Sequence, residues 1–305
     1  MSFRLIGIGE WLWDLLPGRP QMGGAPANFA FQASALGAIA NIISRIGNDP
    51  LGRQLLERLD EAGISQEAVQ IDPSAPTGTV TVVIDDRGQP QFTIHEGVAW
   101  DHLQPTDQGF QLVAKADAVC FGTLAQRMEP SRGTIRALVS ATRPDCLRIL
   151  DVNLRQHYYS RESLMTSLEL ADVLKVNDSE LPILGEMWGL DPNPQSVIPY
   201  LAERFSLMVI AYTRGDRGSL LFRDGQWSDH PGIPTQVVDT VGAGDAFTAA
   251  MTMGLLMGWG LDTINERSNL VASAVAGRAG ATPPLPEEIS RLFRKISVTP
   301  SWRCR

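Results

Sequence analysis

The segment DTVGAGDAF, residues 239–247, lies at the boundary between two kinds of sequence. Residues 236–239 are rich in β-branched side chains, which predicts the end of a strand. Residues 243–258 are rich in Ala and Met, which predicts a helix. Gly242 and Gly244 remove two side chains where the first N–H groups of that helix have no internal partner. The segment therefore predicts an anion site of the kind that binds a phosphate group.

Asp245 falls in the first turn of this predicted helix, where a carboxylate has two explanations. It can complement the helix dipole. Alternatively, it can act as a general base that takes a proton from a hydroxyl group beside a γ-phosphoryl group. A carboxylate that only complemented the dipole would compete with a phosphate for the same donors. The segment by itself leaves both explanations open.

The composition is that of an ordinary globular protein. The chain has 305 residues, of which 44% are hydrophobic and 20% charged. The formal net charge of −8, without a basic block, argues against a nucleic-acid or anionic-membrane partner. An acidic protein that binds phosphates must supply positive potential from backbone dipoles, a few Arg side chains or a metal ion. Mg²⁺ is the expected metal.

The cysteines and the N-terminus indicate the compartment. Cys120, Cys146 and Cys304 lack the paired spacing of metal ligands, and two of them lie in apolar runs. We therefore expect buried free thiols in a reducing environment. Glu10 and Asp14 interrupt the stretch where a signal peptide would be apolar, and no run is long enough to span a membrane. The expected location is cytoplasmic.

Apolar strand-like runs alternate with helical segments along most of the chain. Strands are predicted at residues 3–9, 41–46, 118–122, 148–153, 174–177, 207–213 and 219–224, and helices at 25–37, 51–62, 131–143, 160–171, 178–188, 193–205 and 261–278. No repeat or low-complexity linker interrupts this alternation. We predict a single α/β domain, residues 1–305, with a doubly wound, mostly parallel sheet and helices on both faces.

One region breaks the alternation. Residues 77–84 and 91–95 have alternating character and are joined by a turn signal at 85–88, which predicts a hairpin. Together with the strand-like residues 10–22, this hairpin is predicted to form a small β-sheet apart from the main body. Such a sheet would serve as a lid, as a dimer surface, or as both.

A second glycine-rich segment, MGGAPANFA at residues 22–30, runs into a predicted helix. Gly24 allows a ligand to approach the backbone closely, and Asn28 offers both a donor and an acceptor for a sugar. Asn28 can also be only a cap-region amide. Asp14 lies among apolar residues, where it is either a solvated strand residue or an acceptor for polyol hydroxyls.

Polar residues also follow several predicted strands, where ligands of doubly wound sheets bind. Each has a structural alternative. Asn177 and Glu180 can cap the next helix, Arg155 can be surface charge, and the glycines can be turn residues. The residues at these strand ends are Asn153, Arg155, Asn177, Glu180, Thr213, Gly215 and Gly218.

Both glycine-rich segments resemble known signatures. DTVGAGDAF closely resembles the second signature of the ribokinase-like (PfkB) carbohydrate kinases, and MGGAPANFA resembles the first. Their order and spacing, with an early Asp, a β insertion, N-x-x-E and T-x-G-x-x-G, match over nearly the whole chain. The resemblance implies a Rossmann-like sheet with a β lid, ATP as phosphoryl donor, and Mg²⁺.

The resemblance also implies a role for each matching residue. Asp245 would be the base and Gly242, Ala243 and Gly244 the anion hole, while Asp14, Gly24 and Asn28 would bind sugar hydroxyls. Asn177 and Glu180 would organise metal and phosphates, and Thr213, Gly215 and Gly218 would line the nucleotide site. Asp239 and the Val241 carbonyl resemble part of the monovalent-cation (K⁺) site of some members, although Val replaces the commoner Thr.

The chain looks most like fructokinases, through GEWLWDLLP, GGAPANFA and VAWDHL. DVNLR is similar to the D-x-N-x-R of both fructokinases and 2-keto-3-deoxygluconate kinases. We therefore expect an ATP-dependent fructokinase that forms a homodimer through the lid. The alternatives are a kinase for 2-keto-3-deoxygluconate, ribose or a nucleoside, and a non-catalytic nucleotide-binding regulator. Arg155 pointing into the sugar pocket would favour the keto acid.

Overall fold

The predicted alternation of strands and helices is present in a computed structural model, which describes residues 2–16, 19–84 and 90–294. The strands are β1 (Arg4–Ile8), β2 (Leu12–Leu16), β3 (Arg19–Gly23), β4 (Ile39–Gly47), β5 (Val69–Asp72), β6 (Gly78–Ile84), β7 (Pro90–Ile94), β8 (Ala118–Phe121), β9 (Leu147–Asp151), β10 (Val173–Asn177), β11 (Val209–Thr213), β12 (Ser219–Arg223) and β13 (Gln226–His230). The helices are α1 (Ala25–Ala35), α2 (Pro50–Ala62), α3 (Asp107–Val113), α4 (Ser131–Ser140), α5 (Arg161–Leu170), α6 (Leu181–Met187), α7 (Pro194–Phe205), α8 (Ala243–Leu256), α9 (Leu261–Ala276) and α10 (Glu287–Arg294).

The large sheet has nine strands among the described residues, in the order β13-β12-β11-β10-β9-β8-β1-β4-β5. The strands β11, β10, β9, β8, β1, β4 and β5 pair in parallel, whereas β12 and β13 are antiparallel additions at one edge. The carboxyl ends of the parallel strands therefore share one edge. Ligands of open α/β sheets bind at such an edge.

Helices cover both faces of this sheet, because alternate strand residues point to opposite sides. Ile149 belongs to the core cluster that includes apolar residues of α1, α2, α8 and α9, whereas Leu150 belongs to the cluster that includes apolar residues of α4 to α7. Both side chains are fully buried. The predicted doubly wound, mostly parallel sheet is therefore confirmed.

The small sheet is also confirmed, with the order β3-β2-β6-β7. Strand β2 pairs in parallel with β6, and the other two pairings are antiparallel. We call these four strands the lid sheet. The predicted turn at residues 85–88 and the C-terminal segment with Cys304 lie outside the described residues.

The strand predicted at residues 236–239 is wrong. This stretch is irregular, and Val237 and Val238 are 58% and 60% exposed. The N–H groups of Val238 and Asp239 donate to the carbonyl of Ala276, at the end of α9. β-branched residues favour an extended backbone, but the segment packs against a helix end and not against a sheet edge.

A buried ion pair joins the lid sheet to the main body. Arg127 donates from Nε and Nη2 to both carboxylate oxygens of Asp101, each at 2.7 Å. Its Nη2 also donates to the carbonyl of His95, at the end of β7, and its guanidinium lies 4.0 Å from the Trp100 ring centroid. The two charged side chains are 2% and 0% exposed. Removing one of them would leave the other charge buried without compensation.

We predict that Arg127→Ala lowers the free energy of unfolding by about 3–5 kcal/mol, because it leaves the Asp101 carboxylate buried and unpaired. Urea denaturation followed by circular dichroism measures this change. Arg58→Ala is the control, since Arg58 and Glu61 pair while 54% and 65% exposed, and should cost less than about 1 kcal/mol. Equal effects of the two substitutions would contradict this account of the junction.

Candidate active site

Two helix N-termini meet at the carboxyl edge of the large sheet. Helices α1 and α8 pack against each other, and each has a glycine N-cap with positive φ, Gly24 at 106° and Gly242 at 79°. A Cβ at Gly24 would collide with the carbonyl of Glu10, and one at Gly242 with the carbonyl of Ala281. Only glycine fits either position. The first N–H groups of a helix have no partner inside the helix, although that of Ala243 donates to the carbonyl of Thr240 at 3.3 Å.

A hydrogen bond connects these two helix starts. Asn28 Nδ2, in the first turn of α1, donates to Asp245 Oδ2, in the first turn of α8, at 2.8 Å. Asn28 is 3% exposed, and its Oδ1 has no hydrogen-bond partner within the described parts of the chain. A buried acceptor without a partner costs free energy, so this oxygen is suited to accept a hydrogen bond from a ligand hydroxyl. The structure thus brings together Gly24, Asn28, Gly242 and Asp245, which are all among the predicted site residues.

Burial raises the pKa of Asp245 to about 6, and the nearby charge of Asp151 adds to this rise. The Asn28 hydrogen bond and the positive charges of Lys175 and Arg155 act in the opposite direction. Asp245 is therefore a carboxylate near neutral pH but a much stronger base than an exposed Asp. A general base needs a pKa close to the working pH.

Two further acids are influenced by the same Arg155 charge as Asp245. Burial raises the pKa of Asp14 to about 6 and that of Glu10 to about 7, and the charge of Arg155 opposes both rises. Glu10 is 2% exposed, and its Oε2 has no partner among the residues that the structure describes. Asp14, on β2, packs against the Cα of Gly23. The charge of Arg155 thus acts on Glu10, Asp14 and Asp245 together.

An ion pair lies beneath the start of α8. Lys175 Nζ, on β10, is 3.2 Å from Asp151 Oδ1, at the end of β9. Thr248, in the second turn of α8, donates to Asp151 Oδ2 at 3.2 Å. A Cβ at Gly244 would lie 3.2 Å from Lys175 Nζ. The ammonium group therefore touches the backbone of the predicted anion hole.

Asn177 and Glu180 hold neighbouring strand ends together. Asn177 Oδ1 accepts hydrogen bonds from the backbone N–H groups of Ser179 and Glu180 at 2.9 and 3.0 Å. The Glu180 carboxylate accepts from the backbone N–H groups of Leu154 and Asn177, each at 2.9 Å. These bonds fix the turn ahead of α6 and do not cap that helix, whose N-cap Glu180 makes no side-chain cap hydrogen bond, and both oxygens of Glu180 already bind backbone donors.

Thr213 lies beside Asn177 in register, at the end of β11. Gly215 and Gly218 follow with φ of 61° and 75°. A Cβ at Gly218 would collide with the backbone of residues 230–232, whereas Gly215 has no atom within 4 Å of a Cβ position. Gly218 is thus required by chain packing, and Gly215 leaves open space beside the strand end.

Asp239 shapes the loop before α8. Its Oδ1 accepts from the N–H of Val241 at 3.0 Å, and its Oδ2 accepts from the N–H of Gly280 at 3.1 Å. Its negative charge also raises the pKa of Asp14. The loop of residues 239–241 therefore lies close to the lid sheet, with both Asp239 oxygens bound to backbone donors.

Sequence reasoning missed Glu10, Asp151 and Lys175. Each carried a signal, because Glu10 directly follows an apolar strand and Lys175 interrupts one. Asp151 lies within the DVNLR segment, where the pattern of polar residues after a strand points to Asn153 and Arg155. The Lys175–Asp151 contact depends on the register of two strands, which the local pattern does not specify.

Across residues 2–16, 19–84 and 90–294, no three His, Cys, Asp or Glu side chains form a group that could hold a metal ion.

Over the same ranges, no helix is both long enough and apolar enough to cross a bilayer. Cys120 and Cys146 are buried free thiols.

Comparison with solved structures supports the fold. The chain is 31% identical to an uncharacterized sugar kinase of Pyrococcus horikoshii, over 93% of this chain and 94% of the relative. A crystal structure of that kinase in complex with ATP has a TM-score of 0.81, covering 95% of this chain and 99% of the other. A Xylella fastidiosa fructokinase with bound ATP, 21% identical, has a TM-score of 0.84 over 96% and 99%.

Comparison with curated sequences supports the family. A Klebsiella pneumoniae fructokinase is 33% identical over 84% of this chain and 85% of its own length. An Escherichia coli fructokinase is 31% identical over 92% and 93%. The model of the pfkB family carbohydrate kinases matches residues 19–288. The chain therefore belongs to the pfkB family of carbohydrate kinases.

Proposed function

We propose that this carbohydrate kinase is a fructokinase, which transfers the γ-phosphoryl group of ATP to D-fructose and forms D-fructose 6-phosphate. The observation that carries the proposal is the Asn28–Asp245 hydrogen bond between two glycine-capped helix starts. Around this hydrogen bond lie the proposed anion site, a base with a raised pKa, and the unpaired Asn28 Oδ1, which can accept a hydrogen bond from a sugar hydroxyl. Fructokinases more than 30% identical to this chain support the choice of sugar.

In the proposed reaction, Asp245 accepts the proton of the primary hydroxyl group as its oxygen attacks the γ-phosphorus in line. The bond from phosphorus to the bridging oxygen breaks, and ADP leaves. The backbone N–H groups of Gly242, Ala243 and Gly244 would stabilise the charge on the transferred group. Their position at the start of α8 adds the favourable end of the helix dipole.

The sugar would lie between the lid sheet and α1. Asp14 and Asn28 Oδ1 would accept hydrogen bonds from hydroxyl groups, and Gly24 would allow close approach of the sugar. Phe92 shares the face of the lid sheet that carries Asp14, and it is 54% exposed. It is available to cover an apolar face of the sugar and exclude water.

The nucleotide would lie across the ends of β10 and β11. Thr213 and the open backbone at Gly215 would contact the nucleotide, while Gly218 would keep the following chain close. Asn177 and Glu180 would act indirectly, by fixing the strand ends through the four backbone hydrogen bonds described above.

Mg²⁺ would enter mainly as part of MgATP, because this ion usually keeps several waters and takes one or two carboxylates together with substrate phosphates. It would supply charge neutralisation at the phosphates. Glu180 fits only an indirect role, since both its oxygens bind backbone donors. Asp239 and the Val241 carbonyl are the candidates for a K⁺ site, and Asp239 already orders that loop.

We also propose that two copies associate through the lid. Leu15 pairs in register with Thr81, so these side chains and Val83 share the face opposite Asp14. Val83 is 56% exposed. An exposed apolar face of a small sheet supports an interaction with a second copy.

A second candidate sugar is 2-keto-3-deoxygluconate. The charge of Arg155 acts on Glu10, Asp14 and Asp245 together, as expected of a side chain near the sugar pocket. A guanidinium there would bind a substrate carboxylate. This observation keeps the keto acid as the alternative to fructose.

Replacing the base tests the mechanism. We expect Asp245→Asn to lower kcat by about 10²–10⁴-fold, because it removes the proton acceptor. ATP affinity, measured by calorimetry, should change little, since the backbone of the anion site is retained. Asp262→Asn alters an acid in the first turn of α9 and should keep the wild-type rate. Substantial turnover by Asp245→Asn would contradict the assigned base.

The raised pKa of Asp245 predicts the pH profile. The base works only when deprotonated, so kcat/KM should fall as the pH drops below about 6. The initial rate of ADP formation, measured from pH 5 to 8, gives this acid limb of the pH profile, which is the range where the rate falls with falling pH. Asp14→Asn is the control, because Asp14 also titrates near 6. If the acid limb disappears in Asp14→Asn, Asp14 is the titrating group, and the prediction is contradicted.

A panel of acceptors tests the substrate. We expect ADP release to be fastest with D-fructose, compared with 2-keto-3-deoxygluconate, ribose, adenosine and aminoimidazole riboside. Arg155→Met should lower the turnover of fructose only modestly. The turnover of a substrate with a carboxylate should fall roughly 100-fold, because the charge-assisted hydrogen bond to Arg155 is lost. A preference for the keto acid together with that loss would replace fructose with the second candidate.

A further inference from the structure

Lys175 is a charged side chain inside a buried parallel strand. Val173, Leu174 and Val176 around it are fully buried, and Lys175 itself is 5% exposed. A lysine at such a position is unusual unless it is paired. Burial lowers the pKa of Lys175, but Asp151, Glu180 and Asp245 together raise it above its ordinary value. The side chain is therefore an ammonium ion in the protein interior.

The partner of Lys175 also contacts α8. Asp151 lies beside Lys175 in register on the neighbouring strand, so both side chains point to the face that α8 covers. One Asp151 oxygen binds Lys175, and the other accepts from Thr248. Thr248 also donates to the carbonyl of Gly244 at 3.0 Å. The pair thus connects two sheet strands to the first two turns of α8.

The ammonium group packs against the start of α8. A Cβ at Gly244 would be 3.2 Å from Lys175 Nζ, so the charge lies beside the backbone that forms the proposed anion site. Stability alone gives a weak reason for this arrangement, since well-packed hydrophobic residues often replace a buried ion pair without loss. A positive charge beneath a phosphate site is expected to stabilise the charge of the transition state.

We propose that Lys175 is a positioning residue for phosphoryl transfer, which places a buried positive charge behind Gly244 and is itself held there by Asp151. The inference rests on the proposed kinase mechanism. It assigns a positive charge that acts on Asp245 together with Arg155, in a site where Glu10 and Asp14 are also acidic.

The same geometry predicts opposite pH shifts for the two partners. Three charges act on the pKa of Asp245: Asp151 on β9, Lys175 on β10 and Arg155 in the loop after β9. The charge of Asp245 in turn raises the pKa of Glu10, after β1, and of the Cys120 thiol, on β8. Removing the positive charge of Lys175 should move the acid limb to higher pH. Removing the negative charge of Asp151 should move it to lower pH.

The test compares Lys175→Met, Asp151→Asn and the double variant in the full-length protein, with ATP, Mg²⁺ and the preferred sugar. We expect Lys175→Met to lower kcat about 100-fold, as for loss of one transition-state contact, with a small change in KM for the sugar. Asp151→Asn should shift the limb in the opposite direction. The double variant leaves no unpaired buried charge, so it should fold, keep the kcat loss and show a limb near that of the wild type.

Arg127→Met is the matched control, because it removes the cation of another buried ion pair, away from Gly244. It should leave the position of the limb unchanged. Wild-type kcat in Lys175→Met, or in the double variant if the single variant does not fold, would overturn the inference. The proposed function would still hold in that case if the wild-type enzyme forms sugar phosphate and the Asp245→Asn variant does not.

Discussion

The hydrogen bond from Asn28 to Asp245 is the constraint on which the rest of the site depends, because it holds two helix N-termini together at one sheet edge. Two positive helix ends face each other unfavourably unless an anion lies between them. Asp245 is such an anion, and a bound phosphoryl group would be another. Gly24 and Gly242 are required for this approach, since a Cβ at either position would collide with a neighbouring carbonyl.

Negative charge is concentrated in this part of an already acidic chain. Burial raises the pKa of Glu10, Asp14 and Asp245, so these acids hold their protons more tightly than exposed ones. The same desolvation that makes Asp245 a better base also makes each uncompensated charge costly. The positive charge of Arg155 acts on all three acids, and that of Lys175 acts on Asp245.

Much of the fold could be predicted from sequence, because buried strands and amphipathic helices leave different periodicities and glycines mark the helix starts. The two glycine-capped helix starts were predictable for the same local reason. The Lys175–Asp151 pair was not, since it forms only when β9 and β10 align in register. The strand predicted at residues 236–239 failed because β-branched residues indicate an extended backbone, whereas pairing requires a free sheet edge.

The central claim is that the phosphoryl group passes from ATP to a primary sugar hydroxyl and not to water. ³¹P NMR of the complete reaction with D-fructose tests it most directly. The account predicts a phosphate monoester signal split by two methylene protons, growing as ATP is converted to ADP. ADP with inorganic phosphate as the only products, or no consumption of ATP with any sugar, would contradict it.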